Sequence, residues 1–370
     1  MEERRTYKLG DLLTIKYGKD HKSLSDGPYA AYGSGGIMRY VEKPIYDKAS
    51  ILIPRKGSLN NVLYVDKPFW TVDTMFWTII DTTIVIPHFL FYAIRDIDFA
   101  NLNVGSAVPS LTCPVIEAIE VQIPSIEKQK RILDCLEPID EKIELNNRIN
   151  HNLEQQAQAL YKSWFVDFEP FKVGNYIDSE LGLIPEGWRV GTLSDIAHIT
   201  MGQSPSGTSF NEEEKGIIFY QGRTEFGFRF PSIKLFTTEP TRISEPKSIL
   251  MSVRAPVGDI NISKNKCCIG RGLASIRPMT DSYSFLLYTM KSKAEELDLY
   301  NGEGTVFGSI NRKELEGLTV LIPSCDVINA FNSFTTPIDE KIEVLSDEIT
   351  NLQRQRDELL PQLMSGKLTC

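Results

Sequence analysis

The chain has 370 residues, of which 42% are hydrophobic and 24% charged, a composition typical of globular proteins and a length that suits two or three domains. The most apolar stretch, residues 76–94, is interrupted by Asp81, Pro87 and His88, so it does not predict a transmembrane helix. The first five residues lack the apolar core of a signal peptide, which favours a cytoplasmic protein. Six cysteines without a CxxC pair and four scattered histidines predict no metal site.

The net charge of −9 at pH 7 is concentrated in two short segments. Residues 125–171 carry a net charge of −3 and residues 324–370 carry −4, so these segments hold seven of the nine excess negative charges. The longer segments 1–124 and 172–323 are each nearly neutral, and either can present a basic face to nucleic acid. The acidic total therefore does not exclude DNA binding.

An internal repeat organises the chain. Residues 138–144, with the sequence PIDEKIE, recur unchanged as residues 337–343, an offset of 199. The tripeptide IPS at 123–125 recurs at 322–324 with the same offset, and residues 9–18 resemble 193–202. A seven-residue identity in frame with other similar positions indicates a duplication. We predict four segments: globular domains at 1–124 and 172–323, and helical segments at 125–171 and 324–370.

Both acidic segments have the apolar spacing of long helices. In the second copy, apolar residues separated alternately by four and three positions predict a coiled-coil seam; they are Ile338, Ile342, Leu345, Ile349 and Leu352. In the first copy, either Asn146 and Asn150 lie in the seam or the seam shifts to Leu145 and Ile149. Because a whole domain separates the two seams, we expect an antiparallel pair of helices with a domain at each end.

Prolines and serines predict the bounds of these helices. Pro138 and Pro337 suit the first turn of each long helix. Ser125 and Ser324 suit the N-cap of a shorter preceding helix. Pro361 predicts an end or a kink near the end of the second copy.

The globular segments have the pattern of mixed α/β domains. Short β-branched or apolar runs predict strands at 50–54, 83–86, 217–220 and 249–253. Gly-rich or Pro-rich stretches at 33–36, 204–207 and 302–304 predict loops, and residues 170–185 a linker. The predicted fold is therefore α+β: two mixed α/β domains separated by two long antiparallel coiled-coil helices, with a pseudo-two-fold duplication.

The sequence offers few signs of catalysis. It has no GxxxxGK[ST] phosphate loop and no Gly-rich cofactor loop after a strand, and the stretch DKPF at 66–69 departs from the Asn/Asp-Pro-Pro-aromatic loop of adenine methyltransferases. The triplet DEK at 140–142 resembles part of a nuclease carboxylate cluster, but it repeats at 339–341 in a helical pattern. A solvated or partner-facing helix surface is the better interpretation. We predict no catalytic residue.

Polar residues suited to DNA contacts cluster in both globular segments. Arg, Asn and Gln can form bidentate contacts with base edges, and Lys and Ser commonly contact phosphates. The candidates are Lys16, Tyr17, Lys19, Ser34, Arg55 and Asn60 in the first half, and Gln203, Ser206, Gln221, Arg223, Arg254 and Arg271 in the second. Arg229 belongs to the same cluster. Each of them, taken alone, is also compatible with an ordinary surface role.

The tract 123–170 resembles the central region of type I restriction-modification specificity subunits. The resemblance rests on IPSIEKQ at 123–129, on the heptapeptide PIDEKIE, and on LYKSWFVDFEP at 160–170. YGSGG at 32–36 and residues 182–188 are also similar to stretches of that family. The second copy departs from the pattern at 325–328, where CDVI replaces the Glu-Lys-Gln of the first.

The resemblance implies a non-catalytic DNA-specificity subunit with two target recognition domains, each of which reads one half of a split site on double-stranded DNA. It also implies that the helices dock two methyltransferase subunits and, through them, restriction and translocase subunits. The implied partner-binding residues are Glu127, Gln129, Asp140, Glu141, Trp164, Phe165, Asp339 and Glu340. No cofactor is expected on this chain, since S-adenosylmethionine, ATP and Mg²⁺ would bind to the partner subunits.

The alternative is a coiled-coil adaptor that binds protein and has no DNA specificity. Strong divergence between two otherwise duplicated domains favours the DNA-reading function, because two different half-sites require two different readers.

Overall fold

The computed structural model describes residues 4–105, 108–280, 282–302 and 308–368. The chain forms two compact units, Met1–Asn146 with Glu348–Cys370, and Asn147–Asp347. These units group each globular part with stretches of both long helices, whereas the predicted segments separate globular from helical parts. The predicted segment bounds remain a prediction.

Within the described residues, the first unit has nine short strands and three short helices beside the long ones. The strands are β1 (Arg5–Lys8), β2 (Leu13–Tyr17), β3 (Tyr29–Gly33), β4 (Gly36–Val41), β5 (Ser50–Pro54), β6 (Leu63–Val65), β7 (Phe69–Thr71), β8 (Met75–Ile80) and β9 (Glu120–Ile123). The short helices are α1 (Leu9–Leu12), α2 (Pro87–Ile94) and α3 (Cys113–Glu117), and the long helix α4 (Ile126–Phe165) follows β9.

The strands of the first unit form three sheets with the orders β1-β9, β2-β8-β5-β6 and β4-β3-β7. β5 lies between β8 and β6 in its sheet, and all five of its side chains are buried. β3 and β7 are parallel, while β2 and β8 are antiparallel. Pro87 at the start of α2 suits a helix N-terminus, and the apolar sequence of α2 packs into the core of this unit.

The second unit contains β10 (Tyr176–Ser179), β11 (Gly182–Pro185), β12 (Arg189–Thr192), β13 (Ala197–Met201), β14 (Phe210–Asn211), β15 (Ile217–Tyr220), β16 (Phe236–Thr237), β17 (Ile243–Ser244), β18 (Ile249–Ser252), β19 (Ile260–Ile262), β20 (Cys267–Ile269), β21 (Leu273–Pro278) and β22 (Thr319–Ile322). Its helices are α5 (Tyr283–Ser292), α6 (Ala294–Asp298), α7 (Arg312–Glu316) and the long α8 (Cys325–Ser365).

The sheets of the second unit repeat those of the first. The pair β12-β22 corresponds to β1-β9, and the sheet β13-β21-β18-β19 corresponds to β2-β8-β5-β6. The parallel pair of β15 with β20 corresponds to that of β3 with β7. The predicted duplication into two α+β domains is thus confirmed. β16 pairs with β15 as β4 pairs with β3, whereas β10, β11, β14 and β17 have no counterpart among the described strands of the first unit.

Each unit has its own core, and both long helices contribute to each. In the first unit, Ile132, Leu133 and Leu136 of α4 share a buried cluster with Leu360 and Leu363 of α8. In the second unit, Ala157, Tyr161 and Phe165 of α4 share a cluster with Phe331 of α8. The amphipathic pattern of the helices is therefore satisfied by packing against the globular parts as well as against each other.

The long helices are continuous through the positions where prolines were expected to begin or end them. Pro138 lies inside α4, which starts at Ile126. Pro337 and Pro361 lie inside α8. A proline costs a helix one hydrogen bond and crowds the preceding turn, but packing along a 40-residue helix outweighs this local cost.

The structure resolves the alternative registers of α4. Asn146 and Asn150 are buried, whereas Leu145 is exposed. The side-chain amide of Asn146 donates to Glu348 at 2.9 Å, and that of Asn150 donates to Ser346 at 3.4 Å. Since residues further along α4 meet earlier residues of α8 within each unit, the two helices are antiparallel there.

Three predicted strands are present, and one is wrong. Residues 50–54 and 217–220 form β5 and β15, and residues 249–252 form β18. Residues 83–86 instead form a turn that leads into α2, because Thr83 donates twice to the Asp81 carboxylate and fixes the chain reversal. The predicted linker contains the hairpin of β10 and β11. Of the predicted loop at 302–304, Glu303 and Gly304 lie outside the described residues.

A search of the described ranges for membrane spans found no helix with the length and apolar character that crossing a bilayer requires.

Phe331 tests how strongly the second core depends on α8. Its fully buried ring lies 5.0 Å from the ring of Phe165 and 6.0 Å from that of Tyr161. We expect Phe331→Ala to lower the free energy of unfolding by about 3–5 kcal/mol. Phe334, one turn further along the same helix, is 59% exposed, so Phe334→Ala should cost about 0.5 kcal/mol or less. Urea denaturation followed by tryptophan fluorescence measures both, and equal losses would contradict this view of the core.

Candidate nucleic-acid interface

In both units, the loops at the ends of equivalent strands are tied together by equivalent backbone hydrogen bonds. In the first unit these bonds join Gly18 N to Met75 O (3.2 Å), Lys19 N to Thr71 O (2.8 Å), Val72 N to Tyr32 O (2.9 Å) and Arg55 N to Thr74 O (2.8 Å). In the second they join Gly202 N to Leu273 O (2.9 Å), Gln203 N to Ile269 O (2.9 Å), Gly270 N to Tyr220 O (2.8 Å) and Val253 N to Gly272 O (2.9 Å). The ends of β2, β3, β5 and β7 therefore meet at one edge, as do those of β13, β15, β18 and β20.

A glycine makes this close approach possible in each half. A Cβ atom on Gly18 would lie 1.9 Å from the carbonyl oxygen of Val72, and one on Gly202 would lie 2.1 Å from that of Gly270. No side chain fits in that space. β2 and β13 can thus end directly against the turns that carry candidate contact residues.

Tyr17 and Arg55 form a pair at the edge of the first unit. The guanidinium of Arg55 lies 5.4 Å from the centroid of the Tyr17 ring, and its Nη1 donates to the carbonyl oxygen of Asp73 at 3.1 Å. Tyr17 is 57% exposed, and its hydrogen bond with the Cys113 thiol raises its pKa. The pair presents a charged fork and a neutral phenol to the solvent, and both can bind base edges or phosphates.

Other candidates of the first unit occupy different environments. Lys16 is exposed, but side chains alternate along β2, so it points to the sheet face opposite Tyr17. Lys19 is exposed in the loop after β2, and the carbonyl of Ser34 accepts a hydrogen bond from Asn61 at 2.8 Å. Asn60 has an internal role, because its amide oxygen accepts from Ala100 N at 2.8 Å and its amide nitrogen donates to Asp98 at 3.1 Å.

The second unit gathers Gln203, Gln221 and Arg271 around one turn. The turn Gly270–Gly272 donates backbone hydrogen bonds to Tyr220 and Gln221, and the N–H of Arg271 lies 3.4 Å from Ser204 Oγ. The side chains of Gln203, Gln221 and Arg271 are exposed. Arg and Gln at neighbouring loop ends form a set of donors and acceptors suited to the edges of bases.

The remaining candidates of the second unit surround this turn. Arg254 follows β18 and is exposed beside an isolated bridge to Ser309, which corresponds to the bridge of Lys56 with Ser110 in the first unit. Arg223 forms an ion pair with Asp259. The hydroxyl of Ser206 is 2.8 Å from that of Thr208. Arg229 does not belong to this surface, since it is 2% exposed.

The expected partner-binding residues divide into exposed and internal ones. Glu127, Glu141 and Glu340 are exposed on the long helices, and their partner contacts remain predictions. The structure instead places Gln129, Phe165 and Asp339 in the interior, where they cannot meet another protein. Trp164 is half-buried, with its ring 5.9 Å from that of Phe331.

Gln129 has a structural role. Its side-chain oxygen accepts from the N–H of Ile86 at 2.8 Å, and its nitrogen donates to the carbonyls of Pro124 and Ile84 at 2.9 and 3.1 Å. A glutamine near a helix start was expected to face a partner, but it completes the hydrogen bonds of the turn before α2.

Asp140 and Asp339, the same position of the repeated heptapeptide, have matching internal partners. The hydroxyl of Tyr92 on α2 donates to Asp140, and that of Tyr288 on α5 donates to Asp339 at 2.8 Å. Each aspartate also accepts from an arginine at 2.7 Å, Arg356 in the first unit and Arg229 in the second. In both units the repeated aspartate thus fastens a globular-domain helix to a long helix.

The sequence did not predict these contacts of Asp140 and Asp339. The signal was present, because α2 and α5 each place a tyrosine about fifty residues before the repeated aspartate. No groups of three or more His, Cys, Asp or Glu side chains that could hold a metal ion occur among the described residues.

Comparisons with known proteins agree on one family. Residues 1–155 and 185–354 match the family described as type I restriction modification DNA specificity domain. A Methanocaldococcus jannaschii protein named for the specificity subunit of the type I restriction enzyme MjaX is 31% identical over 293 residues, which cover 76% of this chain and 68% of that protein. The HindI specificity subunit of Haemophilus influenzae is 27% identical and covers 83% of each chain. The crystal structure of the S subunit from M. genitalium shares the fold, with a TM-score of 0.57, 18% identity and coverage of 98% of this chain and 96% of that one.

Gln129 allows a direct test of its internal role. Gln129→Ala leaves the buried N–H of Ile86 without its acceptor, so we expect the free energy of unfolding to fall by about 1–3 kcal/mol. The control is Gln122→Ala on β9, where the side chain is exposed and the change should be within about 0.5 kcal/mol. Thermal unfolding of the two variants measures the difference. A Gln129→Ala protein as stable as the unchanged protein would contradict this internal role.

Proposed function

Because the chain belongs to the family of type I restriction-modification DNA specificity subunits, we propose that it reads a two-part target on double-stranded DNA, one part with each globular domain. It acts in the cytoplasm and docks two methyltransferase subunits and, through them, restriction and translocase subunits. S-adenosylmethionine, ATP and Mg²⁺ bind to those partners, and this chain contributes no catalytic residue.

The observation that carries this proposal is that equivalent loop positions hold different side chains. Lys19 in the first unit and Gln203 in the second donate their backbone N–H to the same place in the scaffold. The turn between the following strands carries Asp73 in one unit and Arg271 in the other. One scaffold with two different sets of charges and amides suits the reading of two different base sequences.

Arg55 and Arg254 lie at neighbouring positions of the shared scaffold, since the bonds made by Arg55 in the first unit are made by Val253 in the second. Each follows the buried central strand of its sheet, and the chain that leads to α3 or α7 runs beside it, since Leu111 N donates to Arg55 O at 2.9 Å and Ile310 N donates to Val253 O at 3.1 Å. Arginine is the residue best suited to bidentate recognition of guanine. We assign a base-edge contact to Arg55 in one half-site and to Arg254 in the other.

The two long helices form the antiparallel coiled-coil spacer of this proposal. The segments that contain them, 125–171 and 324–370, hold seven excess negative charges, which disfavour contact with phosphates and keep the helices off the DNA. Exposed acidic residues such as Glu127, Glu141 and Glu340 are then available to the methyltransferase subunits.

The protein-binding adaptor without DNA specificity is not favoured. The long helices alone are compatible with an adaptor. Two complete domains that present exposed Arg, Lys and Gln side chains at equivalent loop ends are better explained by DNA reading.

Exchange of a domain tests the two-part reading. Replacing residues 1–124 with the corresponding domain of another specificity subunit should change one half of the methylated sequence and leave the other half unchanged, because each unit has its own core. Base-resolution mapping of methylated sites, in cells that also make the methyltransferase subunit, provides the measurement. A change in both halves would contradict independent readers.

Two arginine variants test the assigned contacts. Arg55→Ala should weaken recognition of the first half-site and Arg254→Ala that of the second, each by about 1–3 kcal/mol if a base contact is lost. Arg312→Ala is the control, because Arg312 is exposed on α7 and pairs with Glu316 in the next turn. Binding of the assembled complex to target duplexes with single base changes distinguishes the outcomes. An equal loss on every sequence would identify a phosphate contact and contradict base reading.

A further inference from the structure

The second unit reads DNA, under the function proposed above, partly through a segment with little regular structure. Residues 221–232 join β15 to the chain before β16, and they contain a single 3₁₀ turn, Arg223–Glu225. Gln221 and Arg223, two candidate base contacts, lie at the start of this segment. In the first unit the corresponding strands, β3 and β4, are joined by residues 34–35 alone, so strand pairing fixes the shape of that tight hairpin. The segment of the second unit needs other restraints.

Backbone restraints hold the middle of the segment against β19. The N–H of Gly227 donates to the Asn261 side chain at 3.0 Å, and the Asn261 amide returns a hydrogen bond to the Gly227 carbonyl, also at 3.0 Å. The N–H of Ile262 donates to the carbonyl of Arg229 at 2.9 Å, and that of Ser232 donates to Glu225 at 2.8 Å. Residue 229 is joined to Arg223 by a short stretch of chain that is held at these points. We therefore expect a shift of residue 229 to move Arg223 as well.

Three consecutive side chains extend the restraint to the long helices. The ring of Phe228 lies 4.5 Å from that of His151 on α4. The ammonium of Lys264 lies 4.3 Å from the Phe230 ring and forms an ion pair with Asp347 of α8. Between them, Arg229 enters the space between the two helices.

Arg229 is the centre of a buried charge cluster. Its guanidinium forms ion pairs with Glu154 of α4 and, at 2.7 Å, with Asp339 of α8, and it donates to the Tyr288 hydroxyl of α5 at 3.0 Å. Lys291 donates to Glu154 at 2.6 Å, so two cations balance two carboxylates. Burial opposes ionisation of Glu154, but the charges of Arg229 and Lys291 outweigh it and lower its pKa.

We propose that Arg229 is a positioning residue for reading of the second half-site: it anchors segment 221–232 to both long helices and thereby orients Gln221 and Arg223 toward DNA. It does not contact DNA, because its side chain is enclosed by the protein. A planar guanidinium reaches two carboxylates on two helices at once, which a lysine ammonium does not.

Single removal of Arg229 leaves two buried carboxylates short of a cation, which destabilises the unit. We therefore pair Arg229→Met with the double variant R229M/D339N, which removes the anchor and one carboxylate and leaves Glu154 paired with Lys291. The matched control is Arg356→Met. Arg356 forms the corresponding ion pair with Asp140, but it lies on α8 and carries no reading segment.

The readout is the base-resolution map of methylated sites made by each full-length variant together with its methyltransferase subunit, with unfolding curves of the purified proteins alongside. We expect the double variant to fold and to lose about tenfold or more of its base discrimination in the second half-site, as for loss of one base-edge contact. The first half-site should be unchanged. Arg356→Met should change neither half of the motif.

A folded double variant with an unaltered second half-site would overturn the proposal, and so would equal relaxation of both halves, which would indicate a purely structural role. A wild-type complex without a two-part motif would instead contradict the proposed function itself, and this inference with it. Because the first half-site is an internal control in every map, the two failures are distinguishable.

Discussion

A single aspartate in each repeat connects the two kinds of structure in this protein. Asp140 and Asp339 occupy the same position of the repeated heptapeptide, and each accepts a hydrogen bond from a tyrosine of the adjoining domain helix and an ion pair from an arginine. A carboxylate that is largely removed from water is stable only with such partners. The domain helices α2 and α5 are consequently fixed to the long helices, and the sheets that pack on them are fixed in turn. This requirement accounts for an aspartate at the same position of the heptapeptide in both halves.

The scaffold and the surface of each domain have separate roles. The strand orders of the central sheets are the same in both units, and both keep a glycine where the first strand ends against a carbonyl. The loops that leave these strand ends carry different side chains. One of them, segment 221–232, takes the place of the tight hairpin turn between β3 and β4 in the first unit. Shared backbone with different loop ends is how one fold supports different specificities. The specificity proposed for this chain therefore depends on a small number of exposed side chains and on whatever fixes their positions.

The sequence predicted the repeat, the α+β class and three strands, because identity at a fixed offset and short β-branched runs are local signals. The continuous helices could not be predicted from Pro138 and Pro337, since the tertiary packing that outweighs a proline is not local. Asn146 and Asn150 left the helix register open, and only their partners on α8 decide it. For the same reason Gln129, Asp339 and Arg229 were taken as surface residues. A polar residue in an amphipathic pattern is usually exposed, and the groups that satisfy these three lie between 5 and 110 positions away in the chain.

The central claim is that the strand-end edges of the two domains, marked by Arg55 and Arg254, face DNA. Site-specific photocrosslinking in the assembled complex tests it most directly, with the photoreactive residue at position 55 or 254. The controls are the exposed positions 11 and 194, which lie just before β2 and β13, at the opposite ends of these strands. We predict crosslinks from position 55 to one half of the target duplex and from position 254 to the other, and none from the controls. Crosslinks from positions 11 and 194 without any from 55 and 254 would contradict the account.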